Sequence, residues 1–134
     1  MINKIKSPLI PVSWGEMIDK ITILEIKKVN IITNNSQFNI NKEIEYLNKI
    51  LYKDKSILLK IKELKNNLFD INSQLWEVED SIREKENKFE FDDEFIQLAR
   101  SVYKLNDKRY DLKKKINIIL ESELNEEKSY KKYN

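Results

Sequence analysis

The 134-residue sequence predicts an all-α fold, an elongated antiparallel bundle of about four helices. Three observations predict it. Glycine occurs once and proline twice, so the residues that punctuate a chain are nearly absent. Ile, Leu, Lys, Glu and Asn are abundant. Two long segments carry apolar residues at steps of three and four, the repeat of a single helix face.

Residues 1–12 read as an extended arm, held so by Pro8 and Pro11. Ser13-Trp14-Gly15-Glu16 then reads as a capping box, with Val12 and Met17 at the flanking staple positions. The first helix is expected from Trp14 to Ile32, ending in the polar run Thr33–Gln37. A second, shorter helix is expected from about Asn41, carrying Ile44, Leu47 and Leu51. Asp54-Lys55-Ser56 reads as a break with a fresh cap or, since it holds no glycine or proline, as a bend only. The third helix is expected from Ile57 to about Glu86, with the stripe Ile57, Leu64, Leu68, Ile71, Leu75, Val78 and Ile82. Asn87 to Phe91 makes the turn, and Asp92 or Asp93 caps the fourth helix. Its stripe is Phe95, Leu98, Val102, Leu105, Leu112, Ile116 and Ile119. At about 1.5 Å per residue the last two helices are each roughly 45 Å long. Their short connection makes them an antiparallel hairpin with coiled-coil-like packing, whose open face helices one and two cover. Ser122 is placed to cap one more turn, with a charged tail over residues 125–134 expected to fray beyond it. All 134 residues are read as a single helical-bundle domain.

Composition excludes much chemistry. With no cysteine and no histidine there is no disulfide, no thiolate nucleophile, no imidazole base and no Cys/His zinc site. With Gly15 as the only glycine there is no phosphate-cradling Walker loop and no dinucleotide fingerprint. No cofactor is expected, and no metal either: Glu77, Glu79 and Asp80 spread around helix three, Asp92-Asp93-Glu94 suits a helix N-terminus, and a hard-cation site made of oxygens alone has no support. Lys and Arg number 25 against 23 Asp and Glu, and the signs alternate along the helices. A nucleic-acid partner is not expected, because such binders gather their basic groups on one face. Lys113-Lys114-Lys115 and the tail lysines Lys128 to Lys132 read as solvated helix faces. No apolar leader and no membrane-length apolar run is present, which makes the cytoplasm the expected location.

Helical-wheel placement puts several polar residues among apolar ones. On helix one Glu25 and Lys28 fall within the apolar sector. On helix four Arg109 lies between Leu105 and Leu112, with Asn106 at the edge of the stripe. Helix three has a mixed flank on which Leu58, Ile61, Phe69 and Trp76 alternate with Asn72, Glu79 and Arg83. Burying one unpaired charge costs several kcal/mol, so these groups must pair or line a hydrated space. Three readings stay open. The long side chains snorkel to the surface, or Glu25, Glu79, Arg83 and Arg109 form an internal ion-pair network that sets helix register, or the cations and carboxylates surround a small anionic ligand. Arginine's planar fork suits the last task. Trp76, Tyr103 and Tyr110 read as core.

Two stretches carry a resemblance. One is Pro11-Val12-Ser13-Trp14-Gly15-Glu16-Met17-Ile18-Asp19-Lys20-Ile21-Thr22-Ile23-Leu24-Glu25-Ile26-Lys27. The other runs from Asn72 through Leu75-Trp76-Glu77-Val78-Glu79-Asp80 and Ile82-Arg83 to Phe91-Asp92. It continues with Phe95-Ile96-Gln97-Leu98-Ala99-Arg100-Ser101-Val102-Tyr103, Asn106-Asp107 and Arg109, and ends in Glu126-Glu127-Lys128-Ser129-Tyr130. Together they resemble a family of short bacterial proteins known only as a domain of unknown function. The resemblance spans most of the chain apart from residues 30–65. It implies membership and a link to glycan or glycosyltransferase systems, and it supplies no activity. Glu25, Trp76, Glu79, Arg83, Arg100, Asn106, Asp107 and Arg109 fall within these motifs. With Lys28 and Asn72 they make up the candidate polar network or anion site. The functions that follow are a non-catalytic accessory module, self-associating or bound to a protein partner through its hairpin, or a small helical enzyme or binder of an anionic small molecule working by electrostatics.

Overall fold

The computed structural model describes residues 5–133, so residues 1–4 of the expected arm and Asn134 of the expected tail lie outside it. Its elements are α1 (Trp14–Asn30), α2 (Asn34–Leu51), α3 (Lys55–Asn87) and α4 (Asp93–Ile119). Each begins where local chemistry allows. The Ser13 hydroxyl accepts the Glu16 amide at 3.1 Å and starts α1. Only half of the expected capping box forms, because the Glu16 carboxylate turns to Lys113 at 2.9 Å. Val12 stays about half exposed, so the expected staple does not close over it.

The polar run Thr33–Gln37 opens α2 instead of separating it from α1. Gln37 donates from Nε2 to the carbonyls of Lys28, at 2.7 Å, and Ile31, satisfying the end of the preceding helix. The second helix therefore starts seven residues earlier than periodicity placed it. Asp54 caps α3 by accepting from the amide and hydroxyl of Ser56, at 2.9 and 2.7 Å. The Ser56 hydroxyl and then its amide hold the Asp54 carboxyl below its ordinary range. Asp92 caps α4 by accepting the Phe95 amide at 3.0 Å.

The α3–α4 turn is a Schellman ending. The amide of Glu90 reaches the carbonyl of Lys85 at 3.0 Å, and that of Phe89 reaches Glu86 at 3.1 Å. Phe89 takes the left-handed conformation that this ending requires, with φ 54°. The Lys85 ammonium sits among three carboxylates, Asp92 at 2.9 Å, Glu94 at 3.1 Å and Glu90 at 3.3 Å, and is held above its ordinary range by them.

Helix α1 is the centre of the molecule, packing on α2, α3 and α4, whereas α2 leans on α1 and α3 and does not touch α4. The core joins Met17, Ile18 and Ile21 of α1 to Leu51, Ile61, Leu68 and Ile116. Gly15 meets Lys113 and Asn117, and Asp19 meets Arg109, so α1 runs antiparallel to α4. The core occupies one end only. No described side chain beyond Asn72 in α3, or before Leu105 in α4, is fully buried. The last fifteen residues of α3, about 22 Å at 1.5 Å per residue, thus project with α4 as a two-helix arm. Leu75, Val78, Ile82, Leu98 and Val102 of the expected stripes are half-buried along it. No helix among the described residues is long and apolar enough to cross a membrane.

Candidate functional site

Where the arm leaves the core, α1, α3 and α4 bring one set of polar groups together. Asp19 is 1% exposed. Arg109 grips its carboxylate with both edges of the fork, Nε donating to Oδ1 at 2.8 Å and Nη2 to Oδ2. Asn72, itself buried, donates from Nδ2 to Asp19 Oδ1 and to Thr22 Oγ1, both at 2.9 Å. The Thr22 hydroxyl donates back to the Asp19 carbonyl at 2.7 Å. Hydrogen bonding to Asp19 raises the Arg109 pKa, opposed by burial and aided by the charges of Asp19, Glu16 and Glu126.

A second set lies about one helical turn closer to the C-terminus of α4. Lys113 is 6% exposed, not the solvated lysine its run suggests. Burial pushes its ammonium down, but hydrogen bonds to Glu126 at 2.8 Å and Glu16 at 2.9 Å outweigh this and hold it above its ordinary range. Beside it the Gly15 amide donates to Asn117 Oδ1 at 2.7 Å. The expected extra turn after Ser122 does not form. Glu121 takes a left-handed φ of 50°, α4 ends, and the Ser122 hydroxyl accepts the Trp14 amide at 3.2 Å.

That ending returns the tail along α4. Lys128 pairs with Asp107 at 2.8 Å, and the Tyr133 hydroxyl donates to the same carboxylate at 2.7 Å. Those two bonds, Lys128 first, lower the Asp107 pKa, and the Asp107 carboxylate raises that of Tyr133. Lys128 also stands over the rings of Tyr130 and Tyr110, at 5.2 and 5.3 Å.

Six of the ten candidate residues line one cleft of about 490 Å³, namely Asn72, Trp76, Glu79, Arg83, Asn106 and Arg109. Asn106, Asp107 and Arg109 also border a second cleft of about 790 Å³ under the tail. The remaining candidates lie elsewhere. Glu25 pairs with Lys65 at 2.9 Å, and Lys28 is exposed near the end of α1. Arg100 is exposed, its guanidinium 3.5 Å from Gln97. Arg83 meets Glu79 only as an exposed pair one turn apart at 3.5 Å. The expected network of Glu25, Glu79, Arg83 and Arg109 is thus replaced by one in which Arg109 pairs with Asp19. Trp76 and Tyr110 are half-buried cleft walls rather than core, and Tyr103 is exposed.

Asp19 and Lys113 are the residues that sequence reasoning missed. Its wheel gave α1 one apolar sector, but α1 is buried over well more than half its circumference because three helices surround it. The lone glycine beside Trp14 was the available signal, since it marks a close approach to another backbone.

Chemically the interior is quiet. Asp19 is committed to a bidentate pair and Lys113 to two carboxylates, so neither is free to act as base or nucleophile. Every buried side-chain nitrogen and oxygen among the described residues has a partner. Two of the five N–H groups of Arg109 are engaged with Asp19, and its side chain is 29% exposed toward the clefts.

Fold and site together define an all-α bundle with a buried Asp–Arg–Asn junction at the root of a projecting helical arm. The chain belongs to a family of unknown function (DUF6165), which matches residues 9–133. No curated protein and no solved structure matches it.

Proposed function

We propose that the protein is a non-catalytic accessory module that binds another protein surface through its α3/α4 arm. The projection of that arm beyond the core carries the reading. A two-helix hairpin has one apolar seam and no third helix to cover it, and such uncovered surface favours association. Phe89, Phe91 and Ile96 stand exposed at its end. The interior polar groups neutralise one another, which suits a junction that fixes helix register rather than a reaction centre. An enzyme of glycan assembly is the partner class implied by the resemblance, and the cytoplasm is the expected compartment.

Site-specific photocrosslinking tests the reading in the source cells. A benzophenone side chain at Phe91 should give discrete protein adducts, and one at Lys62, on the opposite end of α3, should not. Equal labelling from both positions, or none from Phe91, overturns it.

A second reading, binding of a small anion, is favoured by the cleft that Trp76, Asn106 and Arg109 share. Titration with inorganic phosphate or succinate should then change Trp76 emission saturably. No change, or an equal change in Trp76→Phe protein, removes this reading.

A further inference from the structure

The residue after the C-cap of a helix that ends in this way must have positive φ, which glycine adopts freely and a bulky side chain does not. Position 89 holds a phenylalanine there, φ 54°, with 81% of its surface exposed. Glu121 occupies the same position after α4, where its side chain is an ordinary solvated carboxylate. Phe89 instead displays an apolar ring to solvent in a backbone conformation that glycine would adopt without strain, and within the monomer the ring itself gains only an edge contact with Phe91. The tip is also rigidly built. Lys85 gathers three carboxylates beneath it, and Phe91 stacks edge-on against Phe89 and Phe95 at centroid distances of 6.5 and 5.3 Å.

The tip is strongly acidic, with six carboxylates against two lysines over residues 84–94. A surface of opposite character lies farther along α4. There Tyr103, Tyr110, Tyr130 and Tyr133, with Lys131 and Lys132, line a cleft of about 600 Å³. That volume suits one or two aromatic rings. The tip cannot reach its own cleft, because the ten residues from Asp93 to Tyr103 form about 15 Å of continuous helix. Between the two surfaces α4 presents Ile96, Ala99 and Tyr103 to solvent at steps of three and four.

We infer that the partner is a second copy of this chain. Two arms lie antiparallel with their α4 helices in contact about a two-fold axis near Ala99 and Arg100, and each Phe89/Phe91 tip enters the other copy's tyrosine–lysine cleft. That axis sets Ile96 of one copy opposite Tyr103 of the other and brings residues 89–91 alongside residues 108–110. The contact closes on itself, as most soluble dimers do, and each favourable contact occurs twice. Acidic tip against basic cleft fixes the antiparallel direction, since parallel arms would bring the two acidic tips together.

The inference rests on the arm's being an interaction surface, and sedimentation of the full chain over a wide concentration range tests it. Wild type should be a dimer whose affinity falls as salt rises. Phe89→Gly should raise the unfolding midpoint of the monomer yet weaken dimerisation at least tenfold. Lys131→Glu with Lys132→Glu should weaken it to a similar degree. The chain has no cysteine, so an Ile96→Cys, Tyr103→Cys double variant should oxidise to a covalent dimer. A dimer indifferent to Phe89→Gly overturns the inference. So does a monomer at every concentration, even where Phe91 crosslinks to a different protein, an outcome that leaves the accessory-module reading standing.

Discussion

Gly15 is the position where one methyl group matters most. A Cβ there would stand 2.5 Å from the Lys113 carbonyl oxygen and 3.0 Å from Asn117 Oδ1. The first of these is backbone and cannot rotate away. Gly15→Ala should therefore destabilise the fold by about 3 kcal/mol, read as a lower denaturant midpoint with an unchanged slope. The Asp19–Arg109 pair makes a different prediction. Arg109→Met alone strands a buried carboxylate, and Asp19→Leu alone strands a half-buried guanidinium. Each should cost about 3 kcal/mol or more. The double variant should cost clearly less than their sum, because the desolvated charges leave together. Strict additivity in that cycle would show the pair does not couple.

At the scale of elements, the two bonds that tie the tail to Asp107 should respond to pH in opposite senses. The folded pKa of Asp107 is lowered, chiefly by Lys128. Its contribution is complete above about pH 4, the value for a free aspartate, and is lost as pH falls through the lower folded value. Tyr133 has the opposite sign. Its pKa is raised by Asp107, so its hydrogen bond contributes fully below about pH 10 and is lost as pH rises through the folded value. The tail should stay docked between these limits and detach outside them, which NMR shifts of Tyr133 would follow. Asp107→Asn should remove the acid limb of that profile. At the other end of the hairpin, Phe89→Gly should stabilise the monomer by up to about 1 kcal/mol by relieving the left-handed strain.

The molecule as a whole is unevenly covered, and its stability should follow. Amides of α3 between residues 57 and 72, under α1 and α2, should exchange slowest. Those beyond Asn72 should exchange progressively faster toward the tip, as in a hairpin fraying from its free end. Flat protection along α3 in the monomer would contradict this picture. Concentration-dependent protection over residues 89–110 and the docked tail would mark the dimer contact.

The long hairpin, the caps at Ser13 and Asp54, the Asp92–Asp93 start of α4, and most of the stripes of α3 and α4 were legible in the chain, although Ile119 of the expected stripe is exposed and Ile61, expected on a mixed flank, is fully buried. Each follows from residues within a few positions of one another, where spacing and side-chain chemistry act locally. The onset of α2 was not, because a polar run that normally stops a helix here satisfies the end of α1 through Gln37. The site was half legible. Arg109 stood out as a charge within an apolar stripe, and Asn72 and Asn106 flanked it. Its true counterion is Asp19, ninety positions away, and the cation facing Glu16 is Lys113. Which residue meets which depends on three helices surrounding α1, and no periodicity within α1 encodes the distance to segments so remote. Local sequence determined where helices form and which faces are apolar. Only the tertiary structure decided which charges meet and which end of the hairpin is left uncovered, because both depend on how far separated segments approach one another.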